Sequence, residues 1–197
     1  MSTATLAGKI SNKVISNMYK SKGSMNENGE KIYRKSSFIF ICGIALLVIF
    51  VPCLFCINYF VNELIAEESI EESMRIASIL LGYMIDIFMN FLGIFLIVTY
   101  KKFKFILSTD KIVCCKIFSK KCIELYSLEK IRYSNFNGLV FKNNKTKIKF
   151  GIYTNGLIEV LNFIEENIPE YKYQDSLKKA RKMLKNNRIK GEGIENV

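Results

Sequence analysis

One carboxylate lies inside an otherwise apolar stretch of this sequence, and its chemistry needs an explanation. Residues 82–90 read GYMIDIFMN, so Asp86 stands near the middle of the run from Ile76 to Tyr100, which carries no other charge. A carboxylate at the depth of a membrane is costly, and it is expected to have a partner and a role. Two roles are open, namely a bond that holds helices together and a step in a proton or ion path.

The cysteines offer a second candidate chemistry. Cys53 and Cys56 have C-x-x-C spacing, which is typical of redox or zinc sites. They lie in an apolar run without a second cysteine pair, and the chain has no histidine, so we interpret them as small apolar side chains. Cys114 and Cys115 are adjacent and would point to opposite faces of a strand. We therefore expect no metal and no cofactor.

Catalysis and nucleic-acid binding also lack a basis in the residues. The chain contains no histidine and no phosphate-loop motif, and no nucleophile with a base or pair of carboxylates stands out. The net charge of +11 could indicate nucleic acid, but the charges are sorted by position around two apolar runs. We expect a protein that is not an enzyme, has no catalytic residues and does not bind nucleic acid.

The two apolar runs predict a pair of membrane-spanning helices, at residues 36–62 and 76–100. Each is longer than the roughly 20 apolar residues that a span needs. The flanking segments are basic and the connecting segment 63–75 is acidic, and basic flanks stay on the cytoplasmic side. The pattern therefore predicts a hairpin in the cell membrane with both termini cytoplasmic and the acidic loop outside. Tyr33, Tyr59 and Tyr100 are expected to be interfacial aromatic residues.

Within this hairpin the spacing gives Asp86 neighbours. Gly82, Asp86 and Asn90 share one helical face, and small and polar residues on one stripe are typical of helix contacts. Pro52 on the first helix lies at a similar depth and leaves the Val48 carbonyl without its helical hydrogen bond. The hypothesis is that a neutral Asp86 donates to that carbonyl or to Asn90 and clamps the hairpin or an oligomer. The ion path remains the alternative.

From residue 103 onward the apolar residues change to a period of two, which is typical of strands. Six strand-like segments joined by short polar turns predict an antiparallel meander between residues 103 and 153. Asn137-Gly138 between apolar runs is a strong hairpin signal. Residues 157–168 return to helical spacing, and Pro169 ends that helix. The fold class expected for the whole chain is a membrane protein of the α+β class.

Four local features carry a resemblance to a known family: the strand pair FKFILSTDKIVCCKIF, the stretch LYSLEKI, a strand ending in Asn-Gly, and the closing helix LIEVLNFIEENI. Together they resemble the bacterial pleckstrin-homology-like (PH-like) family over residues 101–168. Members of that family often carry two transmembrane helices just before the domain. The resemblance implies a small antiparallel β-barrel or curled sheet capped by a C-terminal α-helix and used for binding or assembly.

Basic residues supply candidate contacts with anionic lipid, since a polybasic segment near a membrane gains about 1 kcal/mol per charge. The candidates are Lys101, Lys102, Lys104, Lys145, Lys147 and Lys149. A solubilising outer face of the sheet, together with the topological role of Lys101–Lys104, is the alternative explanation. A basic helix that includes Val14 and Met18 could likewise lie on the membrane or pack on the domain.

The predicted organisation has six parts. They are a basic N-terminal segment (1–35), transmembrane helix 1 (36–62), an acidic external loop (63–75), transmembrane helix 2 (76–100), a cytoplasmic PH-like domain (101–168) and a basic C-terminal tail (169–197). We expect a membrane-anchored binding or assembly module whose partners are the lipid bilayer and either another protein or a second copy. The alternative is a transport-related or protective component, for example one conferring resistance to membrane-active peptides, that uses Asp86.

Overall fold

A computed structural model describes residues 14–66 and 72–189. Over these ranges the chain is α+β, with five α-helices and two antiparallel sheets. It divides into two compact units. One is the stretch Ser37–Lys101, and the other combines the residues before it with those from Lys102 onward.

The first unit consists of two long helices. Helix α2 spans Ser37–Ala66 and contains Pro52, and α3 spans Glu72–Lys102. Within them, Ser37–Ile57 and Ile76–Lys102 are long and apolar enough to cross a membrane. The two apolar runs are therefore helical as predicted, and both helices continue into the segment predicted as a loop, because apolar length does not set where a helix ends. Residues 67–71 lie outside the described ranges.

The second unit contains the sheets and the remaining helices. Its helices are α1 (residues 14–20), α4 (Leu157–Asn167) and α5 (Gln174–Ile189). Its strands are β1 (Ser24–Met25), β2 (Lys31–Tyr33), β3 (Lys104–Leu107), β4 (Lys111–Cys115), β5 (Lys120–Glu124), β6 (Lys130–Ser134), β7 (Gly138–Lys142) and β8 (Lys147–Phe150). Short 3-10 turns occupy Leu125–Ser127 and Glu170–Lys172.

The six predicted strands are present as β3 to β8, but they do not form one continuous sheet. The first sheet has the order β1-β2-β3-β4-β5 and the second the order β6-β7-β8. The break falls at the 3-10 turn Leu125–Ser127, where the chain leaves extended geometry. Gly138 opens β7 with a φ of 71°, a conformation that favours glycine, so the predicted Asn-Gly turn is used.

Residues 14–36 are part of this unit, whereas the sequence analysis expected a separate N-terminal segment. Strand β2 pairs antiparallel with β3, with Tyr33 opposite Phe105. Tyr33 is only 1% exposed, and its ring lies 6.3 Å from that of Phe105 and 5.9 Å from that of Phe150. It is a core residue and not an interfacial one. Pairing between two segments separated by a whole hairpin leaves no local pattern in the sequence.

The first and last described helices, α1 and α5, both pack on the core of this unit. In α1, Met18 and Tyr19 are buried in the core. Of the two placements considered for the basic N-terminal helix, residues 14–20 therefore adopt the one packed on the domain. Residues 1–13 lie outside the described ranges. In α5, Leu177 and Ala180 are buried. The Ser176 hydroxyl donates a hydrogen bond to the Ile131 carbonyl of β6 at 3.0 Å. Within the segment predicted as a tail, Gln174–Ile189 is therefore a helix that docks on this unit.

Candidate functional site

One end of the second unit carries both connections to the long helices. Ser36 immediately precedes α2, and Phe103 immediately follows α3. Lys104 begins β3 and pairs with Cys115 at the end of β4, so the turn between β4 and β5 lies at this end of the first sheet. The backbone N–H of Ser36 donates to the Tyr153 carbonyl at 2.9 Å, which brings the segment after β8 to the same end.

The second sheet presents its own turn at this end. Lys35 forms a β-bridge with Thr154, and Leu139 of β7 pairs with Phe150, just before that segment. Ser134 pairs with Gly138, so the turn between β6 and β7 lies here as well. We call this the junction end. It comprises residues 33–36, 103–104, 115–121, 132–138 and 149–155.

The opposite end gathers the other turns. Lys31 pairs with Leu107, so the β1–β2 and β3–β4 turns lie together. The N–H of Leu125 donates to the Asp110 carbonyl at 2.8 Å. The amide of Asn143 donates to the Ser127 hydroxyl at 3.3 Å, which adds the β7–β8 turn. We call this the distal end. It comprises residues 26–31, 107–111, 124–130 and 141–147.

The two ends differ sharply in charge. The junction end contains eight lysines and arginines and no aspartate or glutamate. The distal end contains six lysines and five acidic residues, and its Lys111 pairs with Glu30 at 3.7 Å. Of these two ends, the one where the chain joins the long helices therefore carries nearly all of the excess positive charge.

Lys35 has the most constrained environment at the junction end. Its Nζ lies 4.5 Å from the centroid of the Phe103 ring, and a Cβ added to Gly151 would come within 2.9 Å of it. Burial lowers the pKa of Lys35 to about 8, Cys114 opposes that shift, and Lys116 adds to it. Lys35 belongs to none of the ion pairs among the described residues. It is a partly buried cation without a carboxylate.

A buried hydroxyl close to Lys35 has no hydrogen-bond partner among the described residues. Thr154 is fully buried, and its Oγ1 has no hydrogen-bond partner among the described residues. Gly151 adjoins both groups, since a Cβ there would lie 3.9 Å from that oxygen. A buried polar atom without a partner is unusual and calls for an explanation. The arrangement of an ammonium and a hydroxyl donor suits an anionic oxygen.

The structure separates the six lysines predicted to contact lipid. Lys101 and Lys102 are exposed in the last turn of α3, and Lys104 is exposed at the junction end. Lys149 is also at the junction end, where its Nζ donates to the Asn137 side chain at 2.7 Å. The remaining two lie at the distal end, exposed to solvent: Lys145 and Lys147.

The long helices hold the other predicted site. Asp86 is 2% exposed, and the Asn90 side-chain amide donates to its Oδ2 at 2.9 Å and to its backbone carbonyl at 3.0 Å. Asp86 Oδ1 and Asn90 Oδ1 are buried and have no hydrogen-bond partner among the described residues. The pair is therefore formed within one helix, and it leaves two acceptors open.

Contacts between the helices set the depth of this pair. A Cβ added to Gly43 would lie 2.9 Å from the Gly93 carbonyl, so the backbones approach closely there, whereas Gly82 lies nearest to Ile57. Asp86 is four residues after Gly82 and seven before Gly93 on α3. Because the two helices run in opposite directions, it is level with residues 50–53 of α2. Pro52 is at this level, but its side chain is exposed.

The cysteines show no shared site in the part of the chain that the structure describes. The Cys53 thiol donates to the Ile49 carbonyl at 3.1 Å, in the manner of a small helical side chain. Cys114 is buried and Cys115 is half-buried, and burial raises the pKa of the Cys114 thiol. In residues 14–66 and 72–189, no group of three or more cysteine, aspartate or glutamate side chains is placed to hold a metal ion.

Two residues at the junction end were not singled out from the sequence. Phe118 in the β4–β5 turn is 92% exposed, and Phe136 in the β6–β7 turn is 91% exposed. They are the most exposed large apolar side chains among the described residues. The available signal was a phenylalanine inside each polar turn, in KIFSKK and SNFNG.

Comparisons with protein-family models, with curated proteins and with solved structures found no match for this chain. What the protein does must therefore be inferred from the residues described above.

Proposed function

We propose that this chain is a non-catalytic, membrane-anchored binding or assembly module, a scaffold or regulatory subunit at the inner face of a bacterial membrane. One observation carries the proposal. A compact α+β unit is assembled from chain segments on both sides of two helices that are long and apolar enough to cross a membrane. Such a unit is tied to the membrane by two covalent connections.

The strand pairing supports the topology. Strand β2 precedes α2, β3 follows α3, and the two strands are hydrogen-bonded neighbours in one sheet. Segments paired in one sheet lie on the same side of a bilayer, so the chain crosses as a hairpin. The excess of lysine and arginine in these flanks favours the cytoplasmic side.

A PH-like domain is the form proposed for the cytoplasmic unit. Antiparallel strands in sequence order followed by an amphipathic helix that covers the core support it. Two surfaces are available for a protein partner. Strand β1 is an edge strand on which Met25 is 68% exposed, and α4 has an outer face that includes Glu166. Edge strands readily pair with an added strand.

The anchoring is tested by fractionation of native membranes. The chain should stay in the membrane pellet after alkaline carbonate extraction. Protease should digest the domain only in vesicles that expose the cytoplasmic side. Release by carbonate, or digestion from the opposite side, would contradict the proposal.

The binding role is tested by photo-crosslinking in the same membranes. A photoreactive amino acid at Met25 or Glu166 should capture a protein partner or a second copy, whereas one at the exposed residue Asn144 serves as the control. Recovery of the uncrosslinked chain from both positions, with a monomeric mass in mild detergent, would contradict an assembly role.

A second candidate function rests on Asp86. Its carboxylate is buried and its Oδ1 is unpartnered among the described residues, which suits a group that binds a proton or cation during transport or in a protective membrane component. A helix-packing role makes different demands from a transport role. Packing requires a polar side chain whose open oxygen can accept a hydrogen bond from another helix, whereas transport requires a group that can ionise.

Two substitutions separate these roles. If Asp86 only holds helices together, Asp86→Asn should preserve assembly and function, while Asp86→Leu should weaken assembly. If Asp86 carries ions, Asp86→Asn should abolish ion flux or peptide resistance in cells while leaving assembly intact. Wild-type assembly and thermal stability in the Leu variant would exclude the packing role.

A further inference from the structure

Two hairpin turns at the junction end carry solvent-exposed phenylalanines at their tips. The first turn is closed by the N–H of Lys116, which donates to the Ser119 carbonyl at 2.8 Å and leaves Phe118 at the tip. The second is closed by the pairing of Ser134 with Gly138, with Phe136 between them. In these turns both rings are exposed to water, at 92% for Phe118 and 91% for Phe136. Each ring therefore needs a partner outside the domain to leave water.

Both tips are surrounded by positive charge. Lys116, Lys120 and Lys121 are exposed around Phe118, and Arg132 is exposed on the strand that leads to Phe136. The junction end contains no carboxylate that could neutralise them. Exposed aromatic residues beside lysines and arginines are the combination that sits at the boundary between lipid headgroups and acyl chains.

The connections to the long helices are very short. Only Ser36 separates the bridge residue Lys35 from the first residue of α2, and only Phe103 separates α3 from β3. In a chain whose helices cross a bilayer, this end of the domain cannot move far from the lipid surface. The distal end, with nearly balanced charge, has no such constraint.

We propose that the junction end docks on the anionic cytoplasmic leaflet, with Phe118 and Phe136 inserted at the headgroup boundary and the surrounding lysines and arginines facing lipid phosphates. This inference rests on the proposed function, because it requires the helices to span the membrane. Of the domain lysines predicted to contact lipid, it keeps Lys104 and Lys149. It adds three that were not predicted: Lys116, Lys120 and Lys121. It removes Lys145 and Lys147 from the contact, because they lie at the distal end.

The absence of tryptophan from the sequence allows a direct test. The full chain is reconstituted into vesicles of phosphatidylglycerol and phosphatidylethanolamine as single-tryptophan variants F118W, F136W and, as the matched control, Y126W. Tyr126 is 84% exposed and lies at the distal end. The first two should show blue-shifted emission and several-fold stronger quenching by brominated lipid than Y126W, while Y126W should be quenched more strongly by aqueous acrylamide.

Charge reversal supplies a second measurement. K116E/K120E/K121E in the F118W background should reduce quenching by brominated lipid, whereas the same charge change at the distal end, K142E/K145E/K147E, should not. Phosphatidylcholine carries no net charge. In vesicles made only of this lipid, the F118W chain should therefore show the same loss of quenching by brominated lipid as the first triple variant. Thermal stability equal to that of the parent F118W chain in both triple variants shows that the domain remains folded.

Three results would overturn the proposal. The tips could be as accessible to acrylamide as Y126W, or they could be blue-shifted yet insensitive to brominated lipid, which would indicate a protein partner or a second copy. The two triple variants could also behave alike. Carbonate extraction of the same samples separates the two proposals. A chain released from the membrane refutes the proposed function, whereas a retained chain with unquenched tips refutes only the docking of this surface.

Discussion

Tyr33 and Phe105 lie opposite each other on β2 and β3, although both long helices separate them in the sequence. Their ring centroids are 6.3 Å apart, and the Tyr33 ring fills the space left by two glycines, Gly23 and Gly156. A Cβ at Gly156 would lie 2.5 Å from that ring, and its φ of 84° also favours glycine. Strand β2 and the residues around Gly23 are thus a structural part of the domain.

Removal of the Tyr33 ring should therefore destabilise the domain as a whole and not only the strand that carries it. We expect Tyr33→Ala to cost about 3–5 kcal/mol of unfolding free energy, the range for large aromatic truncations in a core. Denaturant unfolding of the full chain in mild detergent, followed by near-UV circular dichroism, measures this. Tyr126→Ala is the matched control, since a surface change of this kind stays within about 0.5 kcal/mol. Equal effects of the two variants would contradict the packing.

Glu159 should link domain stability to acid pH. Its Oε2 accepts the Gly23 N–H at 2.8 Å and its Oε1 accepts Lys31 Nζ at 2.7 Å. Burial acts to raise the pKa of Glu159, but these donors outweigh it and hold the pKa below its ordinary value of 4.5. A lowered folded-state pKa stabilises the fold above pH 4.5 and loses that contribution as pH falls through the folded value.

Glu159→Gln should consequently melt at a lower temperature than wild type at pH 7, and the difference should shrink below pH 4.5. Thermal melts in detergent from pH 3 to pH 7 would measure it. Glu166→Gln on the exposed face of the same helix is the control and should follow the wild type. A constant difference at all pH values would show that the lost charge is not responsible.

Lys35 should act in the opposite pH range. Burial lowers its pKa from 10.5 to about 8, so the folded domain binds its proton less tightly than the unfolded chain does. Its contribution therefore becomes more stabilising as pH rises from about 8 to 10.5. Lys35→Met should be more stable than wild type at pH 7, by about 1–3 kcal/mol from a shift of this size.

Thermal melts at pH 7 and pH 10 would measure this effect, with the gain from Lys35→Met expected to shrink at the higher pH. Lys116→Met, which removes an exposed lysine nearby, is the control. A gain that is the same at both pH values would show that the charge of Lys35 is not the cause.

The contact between the long helices should depend on which glycine is replaced. A Cβ at Gly43 would lie 2.8 Å from Ile97 Cγ1 and 2.9 Å from the Gly93 carbonyl, whereas one at Gly82 would meet nothing closer than 3.9 Å. Gly43→Ala should therefore destabilise the hairpin by about 1–3 kcal/mol through overpacking. Gly82→Ala should be neutral or stabilising by up to about 1 kcal/mol, because alanine favours helix. Unfolding by titration with SDS measures both, and equal signs would contradict the close approach.

Local periodicity determined much of this protein. The apolar runs predicted α2 and α3, alternation predicted β3 to β8, and helical spacing predicted α4. The proximity of Asp86 and Asn90 was also accessible, because residues four apart on a helix are neighbours. The direction of the bond was not, since Asn90 is the donor where the hypothesis had Asp86 donating. These features depend on repeats of 2 or 3.6 residues, which a sequence displays directly.

Only the tertiary structure decided which distant segments meet. The pairing of Tyr33 with Phe105 and the docking of Leu177 depend on contacts across most of the chain, which no local repeat encodes. The same holds for charge, since Lys149 and Lys145 are near neighbours in sequence yet lie at opposite ends of the domain. An extended strand separates its first and last residues in space. Strand direction and pairing therefore decide which lysines and which phenylalanines lie on the same surface.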